Sequence, residues 1–85
     1  MLWNLIVDPI VKKQLKRIPK EYAGRIIFAI QQFAVNPYGG DIEKMQGEKD
    51  VWRRRIGSYR IYYEIRTARK DIYVFDVLRR TSQTY

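Results

Sequence analysis

The sequence of 85 residues contains no cysteine and no histidine. Without cysteine the chain has neither disulfides nor a thiolate metal site, and without histidine it lacks the commonest general acid–base and the commonest metal ligand. Any catalysis must therefore use other groups. We expect no metal and no small-molecule cofactor.

Long apolar runs are also missing, and the longest uncharged one, LWNLIV, is too short to cross a bilayer. The start of the sequence lacks the basic segment of a signal peptide. We therefore predict a cytoplasmic protein with no membrane partner. A chain of this length also predicts a single domain, residues 1–85, with a small core.

Acidic residues are scarce: 17 Lys and Arg stand against 9 Asp and Glu, which gives a net charge of +8. Residues 51–85 hold nine of these cations against three acids, whereas residues 1–50 hold eight against six. Eight of the nine are arginine, whose planar fork matches phosphate and stacks on bases. The sequence therefore predicts a polyanionic partner, with nucleic acid favoured over a membrane surface.

The first half of the chain follows helical periodicity after a short apolar strand. Asp8 and Pro9 are typical of a helix start, and Pro19 interrupts the helical pattern. The predicted elements are a strand at residues 2–7, a helix that runs up to Pro19, a second helix from Pro19 to about Val35, and a loop at residues 36–50.

From residue 51 the apolar period changes to two, which is typical of strands. Strands are predicted at residues 51–56, around residues 60–66 and at residues 72–78, with turns at Gly57-Ser58 and Thr67–Lys70. The order is β-α-α-β-β-β. It predicts an α+β fold in which two N-terminal helices pack on one face of a small, mainly antiparallel sheet, leaving the other face uncovered.

The stretch VWRRRIGSYRIYYEI concentrates arginine on that uncovered face. Arg53 and Arg55 share one side of their strand, and pairing with the next strand brings Arg60 beside them. Three close cations repel one another, so the cluster predicts a bound anion; the alternative is a solvated strand face that resists aggregation. Arg54 has the opposite parity, so its side chain must extend to an edge or the register must be irregular.

Other conspicuous residues have simpler interpretations. Trp52 is expected in the core, and the tyrosines of the strands are expected mostly to pack, with Tyr62 sharing the parity of Arg60. Four acidic residues between the second helix and the strands are interpreted as solvated loop charge rather than metal ligands: Asp41, Glu43, Glu48 and Asp50. The C-terminal RRTSQTY is either a disordered tail or a phosphate- and base-binding segment.

Taken together, WRRRIGSYRIYYEI, IYVFDVL, RRTSQTY and the interhelical QLKRIPKEY resemble the RelE/ParE toxin superfamily of toxin–antitoxin systems. RelE-type members are ribosome-dependent mRNA endonucleases that a cognate antitoxin neutralises. The resemblance therefore implies an mRNA interferase whose partners are an antitoxin, the ribosome and mRNA.

By position, the resemblance also implies roles for individual residues. Arg53 and Arg55 match a basic pair, and Arg54 is grouped with Arg53 as a phosphate-binding candidate. The implied catalytic residues are Arg55, Arg60, Arg79 or Arg80, and Tyr85.

Arg55 stands where the family often has lysine, and a guanidinium is a poor proton acceptor. Proton removal is thus left either to Tyr85 or to alignment of the substrate by the ribosome. The alternative function is a ParE-like toxin that targets gyrase, or a non-catalytic binding module of the same fold.

Overall fold

The structure, a computed structural model, describes residues 2–79. Two helices and five strands follow one another along this part of the chain: β1 (Asn4–Val7), α1 (Pro9–Lys16), α2 (Lys20–Phe33), β2 (Ile42–Lys44), β3 (Val51–Ile56), β4 (Tyr59–Arg66) and β5 (Asp71–Arg79). The strands form one sheet in the order β1-β5-β4-β3-β2. Strand β1 is parallel to β5, and the other pairs are antiparallel. The predicted α+β class and mainly antiparallel sheet are confirmed.

The helix boundaries follow the local signals in the sequence. Asp8 caps α1 because its carboxylate accepts a hydrogen bond of 3.0 Å from the backbone N–H of Ile10, and Pro9 occupies the first helical position. Pro19 immediately precedes α2 and separates it from α1. Both predicted starts are confirmed.

The core lies between the helices and one face of the sheet. Val11 from α1 and Ile26 and Phe33 from α2 are fully buried against alternate residues of the central strands. In β4 the buried positions are every second residue, from Tyr59 to Ile65. This period of two puts the other set of β4 side chains on the opposite face of the sheet, which no helix of residues 2–79 covers. We call it the open face.

The prediction of a loop throughout residues 36–50 is wrong at Ile42–Lys44, which form β2 and pair with Trp52 to Arg54 of β3. Three residues with one apolar member are too few for periodicity to reveal a strand. Strand β2 is stabilised by its backbone hydrogen bonds to β3 rather than by an apolar pattern of its own. As the last strand in the sheet order, β2 forms an edge beside the arginine-rich strand.

Candidate phosphate-binding face

The register of β3 and β4 brings three arginines together on the open face. Arg55 lies directly opposite Arg60, while Arg53, two residues earlier, lies opposite Tyr62. Arg53, Arg55 and Arg60 line one small cleft, and we call these three the arginine cluster. Their convergence, expected from strand parity, is what the structure shows.

Two carboxylates from β2 and the residue before it line the same cleft. Asp41 Oδ2 accepts a hydrogen bond of 3.1 Å from Arg55 Nε. Glu43 Oε1 accepts one of 3.0 Å from Arg53 Nε and a second from Arg53 Nη2. Both acids are solvent-exposed, as predicted, and Asp41 lies in a bend before β2; the loop prediction is wrong for Glu43, which lies on β2, and each acid also pairs with an arginine of the cluster. The negative charge predicted beside the arginines is thus supplied in part by these two carboxylates.

Arg60 differs from its two neighbours. Among residues 2–79 it forms no ion pair, and its Nε is buried without a hydrogen-bond partner. A buried charged donor that lacks a partner is costly, at about 1–3 kcal/mol or more. Because Arg53 and Arg55 are paired with carboxylates and Arg60 is not, the Arg60 guanidinium is the member of the cluster most ready to bind an anion from outside.

The electrostatics of Arg53 reflect its neighbours. Its hydrogen bonds to Glu43 raise the pKa of the guanidinium, burial opposes that change, and Tyr62 raises it further. Arginine is in any case protonated at every physiological pH. The cluster can therefore neutralise phosphate, but its guanidinium groups cannot accept a proton.

Arg54 is separated from the cluster by the sheet itself. Its side chain lies on the helix side, in a groove with Arg25 and Phe28 of α2, and its Nη1 donates a long hydrogen bond of 3.5 Å to the backbone oxygen of Gly39. The β3–β4 register is uninterrupted, so the side chain extends to an edge, as the first of the two alternatives held. Arg54 does not lie with Arg53, its partner in the predicted phosphate-binding pair.

The C-terminal candidates lie near the end of β5. Arg79 is the last residue of that strand, pairs with Tyr59 and is exposed, and the preceding Leu78 pairs with Arg60. Arg79 thus lies at the same end of the sheet as Arg60 but has the parity of the buried Tyr59, on the helix side, whereas Leu78 shares the open face with Arg60. Arg80 and Tyr85 lie outside the described residues, so their predicted roles stay predictions.

A row of aromatic side chains continues the open face away from the cluster. The rings of Tyr62 and Phe75 are 6.4 Å apart, and those of Phe75 and Tyr73 are 5.9 Å apart. The guanidinium of Arg66 lies 4.8 Å from the centre of the Tyr73 ring. We call Tyr62, Phe75 and Tyr73 the aromatic row. All three are half-buried, and because Arg66 lies over the ring of Tyr73, Tyr62 and Phe75 are the better candidates to stack on a ligand.

Sequence reasoning missed the two acids and most of this row. Charged residues alternate with Ile42 in Asp41-Ile42-Glu43, and that alternation is the signal for an edge strand with both acids on one side. The position of Phe75 could not be predicted because the register between β4 and β5 is irregular. Tyr62 pairs with Asp76 but Tyr63 pairs with Val74, so Phe75 has no partner in β4 and forms a bulge. Parity along the apolar stretch IYVFDVL cannot reveal such a bulge.

Two further features concern metals and membranes. Within residues 2–79 no three acidic side chains are grouped so that they could hold a metal ion. No helix in this part of the chain has the length and apolar character needed to cross a membrane.

The fold and the site define the class of protein. The family model described as "ParE toxin of type II toxin-antitoxin system, parDE" matches residues 5–84. The chain belongs to this family of toxins, within the RelE/ParE superfamily, as the sequence resemblance indicated. Comparison with curated protein sequences gives no match.

Solved structures of RelE toxins share the fold. The RelE of an archaeal RelE–RelB complex from Pyrococcus horikoshii has a TM-score of 0.83 and 24% identity, over 98% of this chain and all of that one. That of Methanococcus jannaschii, also solved with RelB, has a TM-score of 0.75 and 26% identity over 87% and 88% of the two chains. The isolated E. coli RelE toxin has a TM-score of 0.80 at 14% identity, over 95% and 87%.

Proposed function

We propose that the chain is a toxin that cleaves mRNA on the ribosome. The observation that carries this proposal is Arg60, a guanidinium with a buried, unpartnered Nε in a cleft that it shares with Arg53 and Arg55. We propose that a phosphate of the mRNA backbone binds the guanidinium of Arg60, which forms no ion pair with a carboxylate among residues 2–79. The similarity to RelE structures supports this choice of substrate within the superfamily.

The chemistry required is transfer of the phosphoryl group to the neighbouring 2′-hydroxyl. Negative charge builds up on the phosphorane oxygens, and a donor already directed at that position stabilises the transition state more than the ground state. Arg60 takes this role, with Arg55 beside it. Of the two C-terminal candidates Arg80 is the better one, because Arg79 has the parity of the buried Tyr59 rather than that of Arg60. Tyr85 stacks on a base next to the cut. No step requires a metal ion.

The ribosome supplies the alignment. In-line attack needs the 2′-oxygen, phosphorus and leaving oxygen held in order, and a small open cleft on a sheet cannot impose that order on a flexible strand. We therefore expect the protein to cut free RNA poorly. The aromatic row offers a second set of contacts, in which bases of a single strand stack on Tyr62 and Phe75.

The partner that neutralises the toxin is an antitoxin. The RelE chains of P. horikoshii and M. jannaschii were solved in complex with RelB, which supports an antitoxin partner for this chain. We propose that an acidic antitoxin segment covers the arginine cluster, because charge complementarity and competition with mRNA are then achieved at one surface. The site of action is the cytoplasm, where ribosomes are.

The direct test uses purified protein, programmed ribosomes and a labelled message. Discrete cuts in the ribosome-bound message, with little cleavage of the same message alone, are the expected result. Intact message in both reactions would contradict the proposal. Equal cleavage of free and bound RNA would overturn the dependence on the ribosome.

A ParE-like action on gyrase is the second candidate, and the observation that favours it is the match to the ParE toxin family model over residues 5–84. It predicts inhibition of DNA supercoiling by purified gyrase with messages left intact. The two assays, run on one preparation, separate the candidates.

A further inference from the structure

We propose that Glu43 is the proton acceptor of the cleavage reaction. This inference rests on the proposed function and supplies a group that the arginines cannot provide. A guanidinium stays protonated, so a cleft of arginines stabilises charge but does not remove the proton from the attacking 2′-hydroxyl. A carboxylate in the same cleft can do so.

The geometry leaves one oxygen of Glu43 available. Both hydrogen bonds from Arg53 go to Oε1, and within residues 2–79 Oε2 accepts none. The two bonds fix the carboxylate relative to β3, while its side chain remains about two-thirds exposed. Oε2 is therefore held in place by the protein and still accessible to a substrate.

Glu43 shares the cleft with the phosphate site, although it lies opposite Arg53, two residues along from the row of Arg55 and Arg60. Glu43 lies on β2, the edge strand, and lines the cleft together with Arg60 on β4, across β3. A phosphate bound by the guanidinium of Arg60 lies within that cleft. The ribose that carries the attacking hydroxyl then extends over β3 toward the edge.

Asp41 is the other carboxylate in the cleft; it lies in the row of Arg55 and Arg60, but it is held less firmly than Glu43. It lies before the first residue of β2, its side chain is one methylene shorter, and its partner Arg55 is itself half exposed. Arg53, by contrast, is about one-quarter exposed and lies directly opposite Tyr62 in the sheet. Glu43 is therefore the better anchored of the two.

The proposed step exchanges one phosphorus–oxygen bond for another and moves one proton to Glu43. The 2′-oxygen forms a bond to phosphorus as its proton passes to Glu43 Oε2. The bond from phosphorus to the 5′-oxygen breaks, and this oxygen takes a proton from water. The products are a 2′,3′-cyclic phosphate and a 5′-hydroxyl end, and Glu43 later returns its proton to water.

The role of Arg53 changes accordingly. By holding Oε1 through two hydrogen bonds, it becomes a positioning residue for Glu43 as well as a phosphate contact. Loss of Arg53 should then slow the chemical step in addition to weakening the binding of RNA.

The experiment measures single-turnover cleavage of ribosome-bound message at saturating toxin for the wild type, Glu43→Gln, Asp41→Asn and Glu48→Gln. Glu48→Gln removes the same charge from an exposed turn outside the cleft and serves as the matched control. Glutamine can still accept hydrogen bonds from Arg53 but cannot take the proton. Ribosome affinity and the melting temperature are recorded for each variant.

We expect Glu43→Gln to lower the cleavage rate by about 10²-fold or more with little change in affinity or melting temperature, and Glu48→Gln to cleave like the wild type. A Glu43→Ala variant should recover part of its rate when formate is added, because a small carboxylate can occupy the space. An Arg60→Ala variant should show no such recovery.

Three results would overturn the inference. Glu43→Gln that cleaves as fast as the wild type, or faster, would mean that the carboxylate only competes with phosphate for Arg53. An equal loss in Asp41→Asn would remove the assignment to Glu43. Wild-type toxin that never cuts the message would overturn the proposed function itself, and this inference with it.

Discussion

Arg60 shows what a single residue contributes to this site. Its parity and its position after Gly57-Ser58 were enough to predict from the sequence that it faces Arg55. That Arg60 lacks an ion pair within residues 2–79 was not predictable, because this depends on which arginines of the cluster are paired with carboxylates. That pairing depends on β2, a strand of three residues that periodicity does not reveal.

Replacing Arg60 with alanine should therefore affect chemistry more than binding. We expect the single-turnover rate to fall by about 10²-fold or more, since in the proposed mechanism the guanidinium stabilises charge that develops in the transition state. Arg69→Ala removes the same charge from the exposed turn between β4 and β5 and should leave the rate unchanged. Equal effects of the two variants would mean that only net charge matters.

Tyr63 links the core to the loop before β2. Its ring stacks on Phe33 with centres 4.0 Å apart, and its hydroxyl donates a hydrogen bond of 2.8 Å to the backbone oxygen of Pro37. Tyr63→Phe leaves that oxygen without its partner and should lower the free energy of unfolding by about 1–2 kcal/mol. Chemical denaturation at pH 7 measures this difference.

The same residue predicts a dependence on alkaline pH. Burial raises the pKa of the Tyr63 phenol above its ordinary value of 10.0. The neutral phenol is therefore tolerated below pH 10, and stability is lost as the pH rises above 10, where only the unfolded chain ionises this group readily. The free energy of unfolding of Tyr63→Phe should fall less steeply than that of the wild type as the pH rises above 10. Identical pH profiles for the two proteins would contradict the assignment.

Among the elements, β2 depends on the glycine that precedes it. Gly40 has a φ of 85°, and a Cβ at this position would lie 2.4 Å from Cζ of Arg54. Gly40→Ala should therefore cost about 1–2 kcal/mol of stability or more, from backbone strain and from displacement of that side chain.

Gly24 in α2 provides a matched control for this substitution. A Cβ there would meet no atom within 4 Å, so Gly24→Ala should stabilise the protein by about 0.4–1 kcal/mol. Opposite signs in thermal denaturation are the expected outcome. If both variants are destabilised equally, the anchoring of β2 by Gly40 is wrong.

The start of α1 is coupled to β5 through Asp8. This carboxylate caps the helix and also accepts a hydrogen bond from the hydroxyl of Tyr73. The bond from Tyr73 and that from the Ile10 backbone lower the pKa of Asp8 below its ordinary value of 3.8. Its contribution to stability is therefore present above pH 3.8 and lost as the pH falls through the lowered pKa.

Asp8→Asn tests this link, because asparagine caps a helix well but does not ionise. We expect the stability of the wild type to fall more steeply than that of the variant below about pH 4. The measurement is thermal unfolding at a series of pH values between pH 2 and pH 7, spaced by about one pH unit. Parallel curves would show that Asp8 does not contribute through its charge.

For the whole molecule, the α+β fold followed from the switch between helical and strand periodicity and from turn residues at the boundaries. Pro19 and Gly57-Ser58 marked real ends of elements. Contacts between elements were harder to predict from the sequence. The ion pairs of β2 and the bulge at Phe75 depend on how the strands pair in space. Much of the candidate site is built from such pairings.

The charge of the whole molecule also makes a prediction about its neutralisation. With a net charge of +8 and the arginine cluster on the open face, an acidic antitoxin should protect β3 and β4 from hydrogen exchange more than it protects α2. Hydrogen exchange of the toxin alone and in complex measures this. Protection confined to α2 would place the antitoxin on the other side of the sheet.

The most direct test of the central claim is primer extension on a reporter message after the toxin is induced in cells. We predict discrete cuts at codon-related positions for the wild type and for Arg69→Ala, and strong loss of those cuts for Arg60→Ala at equal protein levels. Growth arrest with uncut message, or unchanged cuts in the Arg60→Ala variant, would contradict the account.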